Sequence, residues 1–199
     1  MRRLLAAGLL ALSAVPAAAG TSCYVGADAG KTITASRFET SSGPVTIAAD
    51  GLQAGVRLGC DYIIPGIMDG LVLGAYGGVD MQDVSTGFSG SEISSDLAWT
   101  AAVRGGIKIN PGTLAYGLVG MSWTDVSYGL TEISPRGYVF GAGIEIDVGI
   151  PNLAVYAEWS RTQWGKATDM DVTLRPESDT VRLGVKLKFG ATDVNRIAP

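Results

Sequence analysis

The sequence predicts an all-β chain folded as an eight-stranded antiparallel up-and-down transmembrane β-barrel, and three observations carry the prediction. The chain is 47% hydrophobic with only 17% charged residues, yet beyond its N-terminal leader no apolar run reaches the ~18 residues of a membrane-spanning helix. Of eight strand-length segments, seven alternate apolar and polar residues with period two, the pattern of strands lying between two different solvents. The connections between them alternate long and short, at 32–49, 61–70, 84–96, 110–112, 125–136, 149–152 and 163–178, which places long loops on one side of a barrel and tight turns on the other.

The first 19 residues carry Arg2 and Arg3, an apolar run from Leu4 to Val15 and small residues at Ala17 and Ala19. This is the layout of a secretory signal peptide cleaved between Ala19 and Gly20. Cys23 lacks the upstream Leu of a lipidated cysteine, so lipidation is not expected. Removing Arg2 and Arg3 from the 15 basic residues leaves 13 against 19 acidic ones, a net charge of −6. That balance argues against a nucleic-acid partner. Histidine is absent, which removes the usual general base and the commonest metal ligand. No catalytic, cofactor or metal site is expected.

The first strand sets Val25, Ala27 and Ala29 against Gly26, Asp28 and Gly30, and the second sets Leu52, Ala54, Val56 and Leu58 against Gln53, Gly55, Arg57 and Gly59. Pairing Cys23 with Cys60 brings Val25 to Leu58 and Ala27 to Val56, so face and register agree on one antiparallel hairpin. In an exported chain these cysteines are expected to form a structural disulfide. The third strand, from Leu71 to Gln82, opposes Leu73, Ala75, Val79 and Met81 to Tyr76, Gly78, Asp80 and Gln82. The fourth, from Leu97 to Ile109, opposes Leu97, Trp99, Val103 and Ile107 to Thr100, Arg104, Gly106 and Lys108, and the turn Asn110-Pro111-Gly112 follows. The fifth, from Thr113 to Thr124, is apolar on both parities, and its faces stay unassigned. The sixth opposes Tyr138, Phe140, Ile144 and Ile146 to Gly141, Gly143, Glu145 and Asp147. The seventh opposes Leu153, Val155, Ala157 and Trp159 to Tyr156, Glu158 and Ser160. The eighth opposes Val181, Leu183, Val185, Leu187 and Phe189 to Arg182, Gly184, Lys186 and Lys188.

Alternation alone does not say which face points inward, and a soluble carrier barrel with an apolar interior is the competing architecture. The leader and the polar face, which mixes glycines with long charged side chains, favour the membrane orientation. A narrow eight-stranded barrel needs small residues beside large ones inside, whereas a soluble surface has no use for so many glycines. The lumen charges are then Asp28, Asp80, Glu145, Asp147 and Glu158 with Arg57, Arg104, Lys108, Arg182, Lys186 and Lys188. Buried charges persist when paired, so they are expected to form an ion-pair network that fills the barrel. A selective pore lining is the alternative. Asp169 and Asp171 lie in an acidic connection and read as solvated carboxylates rather than a cation site.

Arg182, Gly184, Leu187 and Phe189 resemble the C-terminal assembly signal of Gram-negative outer-membrane barrels. Gly137, Tyr138, Gly141, Gly143 and Glu145, then Ala157, Glu158 and Trp159, then the last strand, resemble successive strands of small alphaproteobacterial outer-membrane β-barrel proteins, the porin-family, OmpA-like proteins. The resemblance implies a barrel over 20–189 in the outer membrane of a Gram-negative bacterium, with surface-exposed loops and no enzymatic activity. It also implies lipid, lipopolysaccharide and the barrel assembly machinery as partners. The chain departs from the family by continuing past the terminal aromatic with a short polar tail, 190–199. Two functions remain open: a structural barrel whose loops at 32–49, 84–96, 125–136 and 163–178 meet an external ligand, and a narrow channel for small solutes.

Overall fold

The computed structural model describes residues 20–40, 43–64, 70–85, 94–128, 131–133, 136–165, 167–169 and 172–190. The leader with Ala19, Asp171 and the tail from 191 onward fall outside the described residues. The strands are β1 (Thr21–Thr40), β2 (Gly43–Ile63), β3 (Leu71–Ser85), β4 (Ser94–Asn110), β5 (Thr113–Tyr128), β6 (Thr131–Ile133), β7 (Arg136–Asp147), β8 (Leu153–Trp164), β9 (Ala167–Asp169) and β10 (Val172–Gly190). β6 and β9 are three-residue arms on β5 and β10. The other eight run antiparallel in the order β1-β2-β3-β4-β5-β7-β8-β10. β10 returns to β1 along a ladder from Ser22–Gly190 to Glu39–Thr173, which closes the wall. Closure leaves no open edge across the bilayer, where water is absent and every backbone group must be satisfied within the protein.

The β4–β5 and β7–β8 turns, at the end where the described chain begins, are tight. Asn110 Oδ1 accepts the Gly112 amide at 3.0 Å, and the β7–β8 connection turns through left-handed Gly149 (φ 78°) and Asn152 (φ 65°). The opposite end differs from expectation. Of the long connections, 32–49, 125–136 and 163–178 are in large part continuations of the strands, and the described ends of 84–96 are strand as well. β1 runs on to Thr40, β2 starts at Gly43, β4 at Ser94 and β10 at Val172, while β5 continues to Tyr128. Thr- and Ser-rich sequence carries no clear apolar alternation, yet antiparallel pairing continues there because the hydrogen-bond ladder needs no apolar face.

Outward positions form an apolar belt. Val56, Leu58, Leu73, Val103, Ile107, Val119, Leu183 and Val185 are all exposed on it. Tyr62 and Phe189 lie at its lower end, while Trp99, Tyr138, Phe140 and Trp159 lie toward its upper end. From Leu52 to Tyr62 the strand rises about 34 Å, which a tilt of about 40° reduces to about 26 Å, the height of a transmembrane barrel's apolar band. Two outward ion pairs, Lys31–Asp50 at 2.7 Å and Arg161–Asp179 at 2.7 Å, sit at the upper margin. Hydrogen bonds from Lys31 and Arg161 hold the Asp50 and Asp179 carboxyls below the usual carboxylate range. The register pairs Cys23 with Cys60, Val25 with Leu58 and Ala27 with Val56, and the two cysteines are joined as a disulfide.

Candidate functional site in the barrel lumen

Inward positions carry the charges in two layers. The lower layer is built on Arg104 of β4, whose guanidinium grips both oxygens of Asp61 on β2 and donates from Nη1 to Glu145 of β7 at 3.1 Å. Lys186 Nζ donates to the same Glu145 at 2.8 Å, and Lys188 Nζ bridges Glu145 and Asp147 at 2.8 and 2.7 Å. The upper layer is built on Arg57 of β2. Its Nε donates to Asp28 Oδ2 at 2.8 Å and its Nη2 to Asp80 Oδ1 at 3.0 Å. Arg182 stands more loosely among the acids: 3.5 Å from Asp80, 3.6 Å from Glu158 and 3.9 Å from Asp28, with its hydrogen bond going to Ser160 at 3.2 Å.

Between the layers lies a collar of tyrosines. Lys186 Nζ sits 4.6, 5.4 and 4.4 Å from the ring centroids of Tyr24, Tyr116 and Tyr156, and Arg104 lies 4.8 and 5.0 Å from Tyr24 and Tyr116. These are cation–π distances in a desolvated setting, where each contact is worth about 2 kcal/mol at most. The hydroxyls point the other way: Tyr156 donates to Asp28 at 2.6 Å and Tyr116 to Glu158 at 3.0 Å. Glycines on the neighbouring strands make room for the rings. A Cβ at Gly143 would lie 2.5 Å from the Tyr116 ring, one at Gly184 2.5 Å from Tyr156, and one at Gly59 2.7 Å from Tyr24. Above the upper layer the lumen is lined by Thr32, Gln53, Thr180, Thr34 and Ser178, hydrogen-bonded to one another across the closing strands.

The structure places Asp28, Arg57, Asp80, Arg104, Glu145, Glu158, Arg182 and Lys186 inside and buried. It corrects the reading at two points. Lys108 shares the inward parity but has no ion pair among the described residues, because it stands at the rim beside Gly70, below the reach of either layer. Asp147 also belongs to the rim, its side chain 47% exposed. Within the network Lys186 pairs with Glu145, and Glu158 faces Arg182 directly across the β8–β10 ladder. Asp61 was missed because the second strand was ended at Cys60. Its parity with Arg57 and Gly59 is the signal that finds it. The fifth strand, left open, turns Leu114, Tyr116, Leu118, Ser122 and Thr124 inward. Its inward apolar residues pack with Val72 and Val139 into a dry flank of the lumen. Arg182, Gly184, Leu187 and Phe189 lie on the last strand, which pairs with both β1 and β8.

The comparisons with known proteins agree with this architecture. A family model described as an outer membrane protein beta-barrel domain matches residues 4–189. Among solved structures, Neisserial surface protein A is similar at 16% identity and a TM-score of 0.50, covering 84% of this chain and 97% of its own. Ail, the attachment invasion locus protein of Yersinia pestis, aligns at 19% identity and a TM-score of 0.47, covering 86% of this chain and 100% of its own. The outer membrane protease OmpT from Escherichia coli aligns at 9% identity and a TM-score of 0.40, covering 85% and 96%. No curated protein matches the chain by sequence. A closed eight-stranded wall with an apolar outside, a charged inside and a family match over almost its whole length leads to one assignment: the chain belongs to the outer membrane protein β-barrel domain family.

Proposed function

We propose that the protein is a non-enzymatic structural barrel of the Gram-negative outer membrane, closed through its lumen, that presents strand extensions and loops to the outside. The packing of the lumen carries this reading. Apart from Asp147 and Lys188 at the lower rim, every charged side chain of the two layers is at most 10% exposed, and the tyrosine collar with Arg104 and Lys186 fills the space between them. A hydrated ion would have to break several buried pairs to pass, and leaving one partner of such a pair alone costs about 3–5 kcal/mol. Histidine is absent, and the described lumen carboxylates are committed to arginine, lysine or tyrosine partners, which supports a non-enzymatic role.

In this reading residues 1–19 serve as an export signal removed before Gly20, and Arg182, Gly184, Leu187 and Phe189 present the last strand to the barrel assembly machinery. Lipid and lipopolysaccharide surround the belt, and an external ligand meets the segments 32–49, 84–96, 125–136 and 163–178. Conductance in a planar bilayer tests the proposal against a narrow channel for small solutes. The refolded protein is expected to leave the bilayer silent. Steady unitary currents from the wild type, with ion selectivity altered by Glu158→Gln, would replace the structural reading by the channel.

A further inference from the structure

The two charged layers do not balance alike. The lower layer sets Asp61, Glu145 and Asp147 against Arg104, Lys186 and Lys188, three of each sign. The upper layer sets Asp28, Asp80 and Glu158 against only Arg57 and Arg182. Its surplus negative charge is buried, and the nearest further cation, Lys186, is already hydrogen-bonded to Glu145. A buried charge without a counter-charge is too unfavourable to persist.

The three acids of the upper layer are not equivalent. Asp28 accepts from Arg57 at 2.8 Å and from Tyr156 at 2.6 Å. Asp80 takes both contacts of the Arg57 Nη2 fork, at 3.0 and 3.3 Å. Glu158 accepts only the neutral Tyr116 hydroxyl, and Arg182 stands 3.6 Å away, beyond hydrogen-bond range. Among the described residues its Oε1 has no hydrogen-bond partner, and neither do Asp28 Oδ1, Gln53 Nε2, Arg57 Nη1 and Arg182 Nε and Nη1. Unmatched donors and acceptors therefore gather in one buried layer, beneath a hydroxyl-lined stretch that leads to the outer end. Water meets both needs, accepting from guanidinium and donating to carboxylate. The unmatched atoms are mostly N–H donors, which disfavours a metal cation.

We propose that the upper layer is a hydrated proton-binding site, with Glu158 holding as a carboxylic acid the positive charge that the chain does not supply. The groups facing it are Tyr24 and Asp28 from β1, Arg57 from β2, Tyr76 and Asp80 from β3, Tyr116 from β5, Tyr156 from β8 itself, and Arg182 and Lys186 from β10. The proton exchanges with the outside through the hydroxyl-lined stretch, since the tyrosine collar with its two cations blocks the path below.

Infrared spectra of the refolded full chain in detergent micelles at neutral pH test this. The wild type is expected to show a protonated-carboxyl C=O band that shifts on deuteration. Glu158→Gln should lose the band and keep or raise the urea midpoint of unfolding, whereas Asp147→Asn at the rim should keep the band. Four outcomes would overturn the assignment: no such band in the wild type, a band that survives Glu158→Gln, a midpoint lowered by that substitution, or a wild-type midpoint that depends on sodium or potassium with no acid band present.

Discussion

Replacing Arg104 by Met removes the hub of the lower layer while keeping much of the side chain's bulk. Two consequences can be worked from the structure. Glu145 retains Lys186 and Lys188 at 2.8 Å each, so it stays compensated. Asp61 has no other cation within ion-pair distance among the described residues and is left as a buried carboxylate facing a thioether. Orphaning one member of a buried pair destabilises by about 3–5 kcal/mol, and losing the contacts over Tyr24 and Tyr116 adds up to about 2 kcal/mol. Urea unfolding of the barrel in lipid vesicles, followed by tryptophan fluorescence and by heat-modifiable gel mobility, measures the sum. The double variant Arg104→Met with Asp61→Asn is expected to recover part of the loss, because no charge is then stranded. A single variant that loses less than about 1 kcal/mol, or a double variant worse than the single by the full cost of an Asn in that site, would mean that the lower lumen is hydrated and the layer is no plug.

Three further expectations follow from the wall. Cys23→Ser with Cys60→Ser opens a loop spanning a separation of 37 residues, for which the chain-entropy account gives about 4 kcal/mol of lost stability; unchanged midpoints with and without reductant would count against it. Val56→Arg, aimed into the apolar belt, is expected to impair insertion by about 2–4 kcal/mol, and a gentler effect is expected at lumen-facing Ser160, so equal losses at both sites would mean that the faces are exchanged. Gly143→Ala and Gly117→Ala sit on neighbouring strands but face opposite ways. The first drives a methyl into the Tyr116 ring and should cost about 1–3 kcal/mol, while the second meets nothing closer than 3.8 Å and should be nearly neutral when the midpoints are compared.

What the sequence discloses about this barrel depends on where two solvents meet. Val181 to Phe189 could be read at sight because lipid faces one parity and a charged lumen the other, so each residue type declares its side. The same logic fails in the fifth barrel strand, β5, where Leu114 and Leu118 face an apolar flank of the lumen and Ala115, Gly117 and Val119 face lipid; with no polarity contrast there is no period to detect. It fails again above the belt, where Thr32 to Thr40 and Gly43 to Ala49 keep pairing although their Thr- and Ser-rich sequence carries no clean apolar parity. The ion pairs are hidden for a third reason. Arg104 and Asp61 lie on β4 and β2, and Lys186 and Glu145 on β10 and β7, so each pair skips the strand between. A long cation on a narrow barrel wall reaches past its neighbour to the next strand, and counting heights along the sequence cannot choose among strands within that reach. What can be counted is charge. Once Asp61 is included and Lys108 set aside at the rim, the described lumen layers carry six acids and five bases, and the imbalance falls in the layer where Glu158 has only a tyrosine to bind it. Sign and number survive the loss of geometry, so a charge ledger, which needs only strand parity and strand ends, points to the surplus acid that residue-by-residue pairing from sequence overlooks.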